Sequence, residues 1–186
     1  LLDSNGNERE QANYRYVPST WAENIVEQAE KDGLRLSYHT PYRLNIHRDE
    51  FCKLAWQTIQ TVNPNINLPE LAQPFSDCDE DIVRQIAALG IVTGYEDGTF
   101  QPTRELSRQE AAVILQRLYT VLYGKIEASP TLYADNGSIG VWAKNSVYAM
   151  RQTGIMQGVG TNRFDPKNGY TCEQALVTML RMTQKA

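Results

Sequence analysis

The chain has 186 residues, 41% of them hydrophobic and 22% charged, an ordinary composition for a folded globular protein able to bury a core. Its net charge of −4 gives no basic footprint, which argues against general nucleic-acid binding and leaves the capture of any anionic ligand to local arginines. No apolar run approaches the ~20 residues of a membrane-crossing helix, so no membrane insertion is expected.

The chain opens Leu1-Leu2-Asp3-Ser4 with neither an initiator Met nor a signal peptide, which suggests a piece of a longer protein. Residues 1–16 read as a linker or N-terminal extension. Asp3-Ser4-Asn5-Gly6-Asn7 is faintly similar to a calcium loop, but its glycine comes too early for ligand spacing. From residue 17 a first unit begins, running to 62. Trp21, Ile25, Val26 and Ala29 share one face of a predicted helix that Gly33 stops. Thr40-Pro41-Tyr42 then leads to His47-Arg48-Asp49-Glu50, where a second helix starts with Phe51, Leu54, Ala55 and Ile59 on its apolar face. His47 is a weak cap, so that helix start should be less stable unless Asn45 or a shifted boundary compensates.

Asn63 to Pro74, rich in Asn and Pro, reads as a linker over 63–74. The second unit, 75–123, repeats the plan. Ile82, Val83, Ile86 and Leu89 precede Gly90; a loop with Gly94, Asp97 and Gly98 follows; Phe100 plugs the loop into the core; Pro102 leads to a second helix. Ser107 and Glu110 form a capping-box pattern ahead of Ala111, Ile114, Leu115 and Leu118. After a linker at 124–131, the unit at 132–186 carries Trp142, Val147, Met150, Gly154, Gly158, Phe164 and Pro166. Its Thr171 and Gln174 repeat the capping box. Eighteen residues separate Gly90 from Arg108 and likewise Gly154 from Cys172, whereas Gly33 and Arg48 are fifteen apart. One frame therefore fits three copies, the first with about three loop residues missing.

These residues resemble the surface-layer homology (SLH) family over roughly 17–184. Gly90-Ile91-Val92-Thr93-Gly94-Tyr95-Glu96-Asp97-Gly98-Thr99-Phe100-Gln101-Pro102 and the hydroxyl-Arg-x-Glu element at 107–110 carry the resemblance. The first and third copies are degenerate: one has a shortened loop, the other has lost the arginine. The resemblance implies a mainly α fold of three helix-loop-helix repeats about a pseudo-threefold axis, with a central helical bundle and grooves between neighbouring copies. It also implies an extracellular place on a bacterial cell wall or S-layer, as part of a larger exported protein. The partner it implies is an anionic, in some cases pyruvylated, secondary cell-wall polysaccharide or peptidoglycan-linked polymer.

Arg108 and Arg48 sit at the first helical position, where a cation meets the positive end of the helix dipole, so something must offset the placement. One reading is an anion held by backbone N–H groups and a guanidinium fork; the other is an ion pair with Asp97 or Glu105. The resemblance favours the first for Arg108 and, more weakly, for Arg48. Trp21 and Trp142 either stack on a sugar face or fill the apolar stripe. By resemblance Asp97, Gly94 and Gly98 line a groove, although shaping their own loop would also explain them. Cys172 removes the charge in the third copy and reads as an inert thiol.

Cys52, Cys78 and Cys172 are far apart and odd in number, and His39 and His47 stand at no ligand interval from them, so no metal and no cofactor are expected. No nucleophile elbow, phosphate loop or His-Glu metal motif is present, and no catalytic residue is assigned. The sequence thus reads as a non-catalytic wall-anchoring module. The alternative is a structural or protein-interaction module that keeps the SLH fold without binding polysaccharide.

Overall fold

A computed structural model describes residues 15–185; Asp3–Asn7 and most of the N-terminal extension lie outside the described residues. Six α-helices are described, in three pairs: α1 (Glu23–Lys31) and α2 (Arg48–Val62), α3 (Asp81–Ala88) and α4 (Arg108–Tyr123), α5 (Val141–Gln152) and α6 (Cys172–Thr183). The fold is mainly α, and no strand longer than an isolated bridge occurs among the described residues. Gly33, Gly90 and Gly154, with φ of 91°, 73° and 74°, end the first helix of each pair in a conformation that costs glycine nothing.

The three pairs interlock instead of stacking. Each first helix packs on the second helix of the preceding pair: α3 on α2, α5 on α4, and α1 on α6, which closes the ring. The second helices form the centre, where α2 touches both α4 and α6. At the axis the segments entering α2, α4 and α6 join in a cycle of backbone hydrogen bonds. Ile46 N–H donates to Tyr170 (2.8 Å), Tyr170 N–H to Leu106 (2.9 Å), and Leu106 N–H to Ile46 (3.1 Å). All three side chains are essentially fully buried.

The same cycle satisfies the helix starts, whose first N–H groups have no intrahelical partner. Arg48 and Asp49 donate to the Arg104 and Pro102 carbonyls, Arg108 and Gln109 to Asn168 and Pro166, and Cys172 and Glu173 to Leu44 and Tyr42, all at 2.8–3.0 Å. The third N–H of α4 and of α6 is met by the predicted capping boxes, Ser107 with Glu110 and Thr171 with Gln174. In α2 no side chain caps the helix from His47. Asn45 does not compensate, since its amide turns to Glu105. Glu50 is free of capping duty and instead takes the Ser37 N–H and hydroxyl at 2.5 and 2.6 Å, tying down the shortened loop.

Phe100 and Phe164 are fully buried, as predicted. Each is fixed by an aspartate that the sequence reading passed over. Asp77 accepts the Phe100 and Gln101 N–H groups, and Asp135 accepts those of Phe164 and Asp165, at 2.7–2.9 Å. Gln101 and Asp165 have φ of 55° and 59°, a left-handed backbone that the paired bonds hold in place. The expected stripe on the first helix holds for Val26 and Ala29 but not for Trp21: α1 begins only at Glu23, and Trp21, ahead of it, is 54% exposed.

Backbone N–H groups hold the Asp77 carboxyl below its ordinary value of 3.8. At Asp135 and Glu110 burial pushes upward, but hydrogen bonds with backbone N–H groups and Ser107, helped by Arg163 and Arg104, outweigh it and leave both carboxyls lowered. A depressed native value means stability that is present above the unfolded-state value and lost as pH falls through the native one. Urea unfolding should therefore show stability falling below about pH 4.5. Asp135→Asn should cost roughly 1–3 kcal/mol at neutral pH and flatten part of that acid dependence. In hydrogen exchange, the Ile46, Leu106 and Tyr170 amides should open only with global unfolding.

Candidate functional site

Arg108 and Arg48 are 3% and 8% exposed, so neither projects into solvent as a free fork. Arg108 Nε donates to the Phe164 carbonyl (2.8 Å), Nη2 to the Gln157 carbonyl (2.9 Å) and Nη1 to Gln174 Oε1 (3.3 Å). Arg48 does the same one pair earlier, donating to the Phe100 and Thr93 carbonyls at 2.9 Å. The guanidinium carbons lie 5.1 Å from the Phe164 ring and 4.5 Å from the Phe100 ring. Burial lowers both arginine pKa values from the usual range, although guanidinium stays protonated in proteins. The local disfavour at the helix start is thus offset by carbonyls of the next pair's loop, not by the ion pairs with Asp97 or Glu105 that the sequence had offered.

Three of the five Arg108 N–H groups are engaged, which leaves two. Arg108 borders a cavity of about 350 Å³. Its floor is apolar, with Tyr170, Met156 and Val177; Arg181 stands on its α6 wall, and Trp21 of the first pair forms its rim. Arg181 Nη1 spends one bond on the Ile155 carbonyl at 3.2 Å. Two cations and no carboxylate line this space. Sequence reasoning did not single out Arg181; its recurrence as Arg117 at the matching position of the second unit was the available signal.

The threefold relation places Trp142 beside α4 as Trp21 stands beside α6, and Trp142 is 60% exposed. The groove of Arg48 is differently built. The Tyr95 ring lies between Arg48 and Arg104, 5.0 and 5.5 Å from the two guanidinium carbons, and the Arg104 guanidinium meets both the Tyr95 hydroxyl and Glu110. In the Arg108 groove the equivalent positions are Val159, Asn168 and Gln174. Glu110 gives way there to a neutral amide, so a carboxylate next to the arginine is absent. The remaining groove, a cavity of about 340 Å³, contains Asp49, Glu50, Lys53 and His39 around the buried Cys172. Burial raises the Cys172 thiol to about 12, so it is not a nucleophile despite its place at a helix start.

Asp97 and the two loop glycines do not line the Arg108 or Cys172 cavities. Asp97 accepts the Thr99 N–H and hydroxyl within its own turn. Gly98 has φ of 79°, and at Gly94 an added Cβ would fall 2.6 Å from Phe75 Cε1. Both glycines serve loop shape and packing.

Comparison with known proteins matches the S-layer homology domain at residues 76–112 and 137–171. The chain is 24% identical over 182 residues to the amylopullulanase of Thermoanaerobacterium thermosulfurigenes, covering 91% of this chain and 9% of that protein. Similar coverage, 91% and 16%, joins it at 25% identity to exoglucanase XynX of Acetivibrio thermocellus. It is 31% identical over 100 residues to the S-layer protein sap of Bacillus anthracis, covering 54% of this chain and 12% of that one. The chain therefore spans a small fraction of the relatives it matches.

Because its partners are carbonyls of another pair's loop, Arg108 supports the fold whether or not a ligand is present. Arg108→Ala should destabilise the chain by about 3 kcal/mol in denaturant unfolding, and Arg108→Lys, lacking the planar fork, should recover only part of it.

Proposed function

We propose that this chain, in which residues 76–112 and 137–171 are S-layer homology domains, is a non-catalytic module holding a larger exported protein at a bacterial cell surface. Its ligand on this reading is an anionic secondary cell-wall polysaccharide, bound in the groove of Arg108, Arg181 and Trp21. The first helix pair is taken as a third, degenerate repeat that completes the ring.

The observation that carries the reading is the joint make-up of the three grooves. Arg108 shares its groove with exposed Trp21, and the repeat frame sets exposed Trp142 at the matching position for the groove of Arg48. Where arginine gives way to Cys172, the cavity has no tryptophan in its lining. Cation and exposed aromatic are lost together, as expected if one ligand needs both a carboxylate partner and a face for pyranose C–H groups. Two donors on Arg108, the second cation of Arg181 and the absence of a carboxylate suit an acidic sugar. Asp97, Gly94 and Gly98 contribute by shaping the loop that receives Arg48. The Arg48 groove, with Glu110 beside it, is the weaker site.

The burial of both arginines also favours a second reading, a structural or protein-interaction module in which they only lock the ring. A ligand bound by the folded state alone must raise its melting temperature, so purified wall polysaccharide separates the two readings.

Testing Arg108 by alanine would confound binding with stability, whereas Trp21 and Arg181 can be changed with little loss of fold. In sedimentation with wall sacculi, Trp21→Ala and Arg181→Gln should each weaken binding by roughly tenfold, with melting temperatures little changed. Trp142→Ala should have a smaller effect. Undiminished binding by the Trp21 and Arg181 variants together would sink the proposed site.

A further inference from the structure

A second cavity, of about 560 Å³, adjoins the loop that walls the Arg108 groove. Tyr133, Arg151, Gly158, Gly160 and Asn162 line it, and Gln157 and Gly158 are shared with the groove. Its lining has one cation and no carboxylate. Arg151 is an exposed residue of α5 whose guanidinium carbon lies 4.6 Å from the Tyr133 ring centroid. Among the described residues its side chain makes no ion pair or hydrogen bond, so its charge is uncommitted.

Tyr133 is only 3% exposed, and its hydroxyl is buried without a hydrogen-bond partner. Such a group is uncommon in a folded protein and calls for a reason. Packing does not supply one. Phe75 holds the same place in the second pair: its ring lies 5.1 Å from Phe100, as that of Tyr133 lies 5.5 Å from Phe164. Each ring also meets a loop glycine, Phe75 against Gly94 and Tyr133 against Gly158. The ring alone therefore completes the core, and the third pair carries an additional, unused donor beside an unpaired arginine.

We propose that this cavity is a second anion site, taking the carboxylate or phosphate of an acidic saccharide unit. Arg151 pairs with the anion and, on moving off the ring, opens the Tyr133 hydroxyl to donate to it. The saccharide assignment rests on the polymer reading above, because the shared wall at Gln157 and Gly158 puts both cavities in reach of one chain; the anion assignment does not.

The test is an amide-resolved NMR titration of the intact chain with sodium glucuronate, sodium phosphate and neutral glucose. Glucuronate and phosphate should shift the Gly158 and Gly160 amides, and glucose should not. A response to phosphate alone keeps the anion site and assigns its source to phosphate. Arg151→Ala should weaken the response by roughly tenfold. Tyr133→Phe should weaken it several-fold while leaving the melting temperature equal or higher, since Phe75 shows that the fold accepts phenylalanine there. Equal shifts with glucose, no shift with either anion, or unchanged affinity in both variants would overturn the proposal. So would loss of the Gly160 response in Trp21→Ala, which would assign the binding to the groove. If that variant still binds sacculi but the Gly160 response persists, the polymer reading fails and the anion site stands.

Discussion

Everything in this molecule depends on a cycle of three backbone hydrogen bonds between residues 46, 106 and 170. Each belongs to the segment that starts a central helix, and each segment donates to one neighbour and accepts from the other. No segment can satisfy its buried backbone groups without both others, which is costly to leave undone in a dry interior. The six further bonds from the helix starts to the next loop extend the same dependence outward. Outer helices packed on the preceding pair complete it, so the pairs are parts of one cooperative ring more than beads on a string.

That dependence explains why the arginines are where they are. A guanidinium at the first helical position is poorly placed with respect to its own helix. It is well placed to reach the loop of the next pair, whose carbonyls at Phe164 and Gln157, or Phe100 and Thr93, would otherwise be left without donors. A planar fork presents donors on separate nitrogens to the two carbonyls in a fixed geometry, which a lysine's single ammonium does not. Arg108 also borders a groove, so on the proposed reading a structural duty and a binding duty share one residue.

Helix periodicity, the glycine stops, the two capping boxes and the buried Phe100 and Phe164 were legible in the sequence because each is a local property repeated at fixed spacing. The burial of Arg108 and Arg48 was not, since their acceptors are main-chain carbonyls 49–56 residues away in one case and 45–52 in the other, and carbonyls carry no sequence signature. The aspartate clamps Asp77 and Asp135 escaped for a similar reason: the connection between clamp and first helix differs in length between the two copies, so they fall out of the frame that aligns the glycines. Trp21 could be assigned to core or groove only once the start of α1 at Glu23 was known.

Structural duty alone accounts for the missing arginine at Cys172. The loop it would enter is the shortened one of the first copy, already tied down by Glu50 through Ser37. A buried thiol there leaves no charge to neutralise and needs no polar partner. Loss of the arginine therefore says nothing by itself about a ligand. The tryptophans bear on it more directly: Trp21 and Trp142 are more than half exposed, so the core does not require them, yet the Cys172 cavity, which has lost the arginine, has no tryptophan in its lining. Large aromatic rings left in water beside a buried cation have no evident purpose in the ring's architecture. On the proposed reading it is the exposed tryptophans, more than the arginine motif, that separate a polysaccharide-binding ring from one that merely folds.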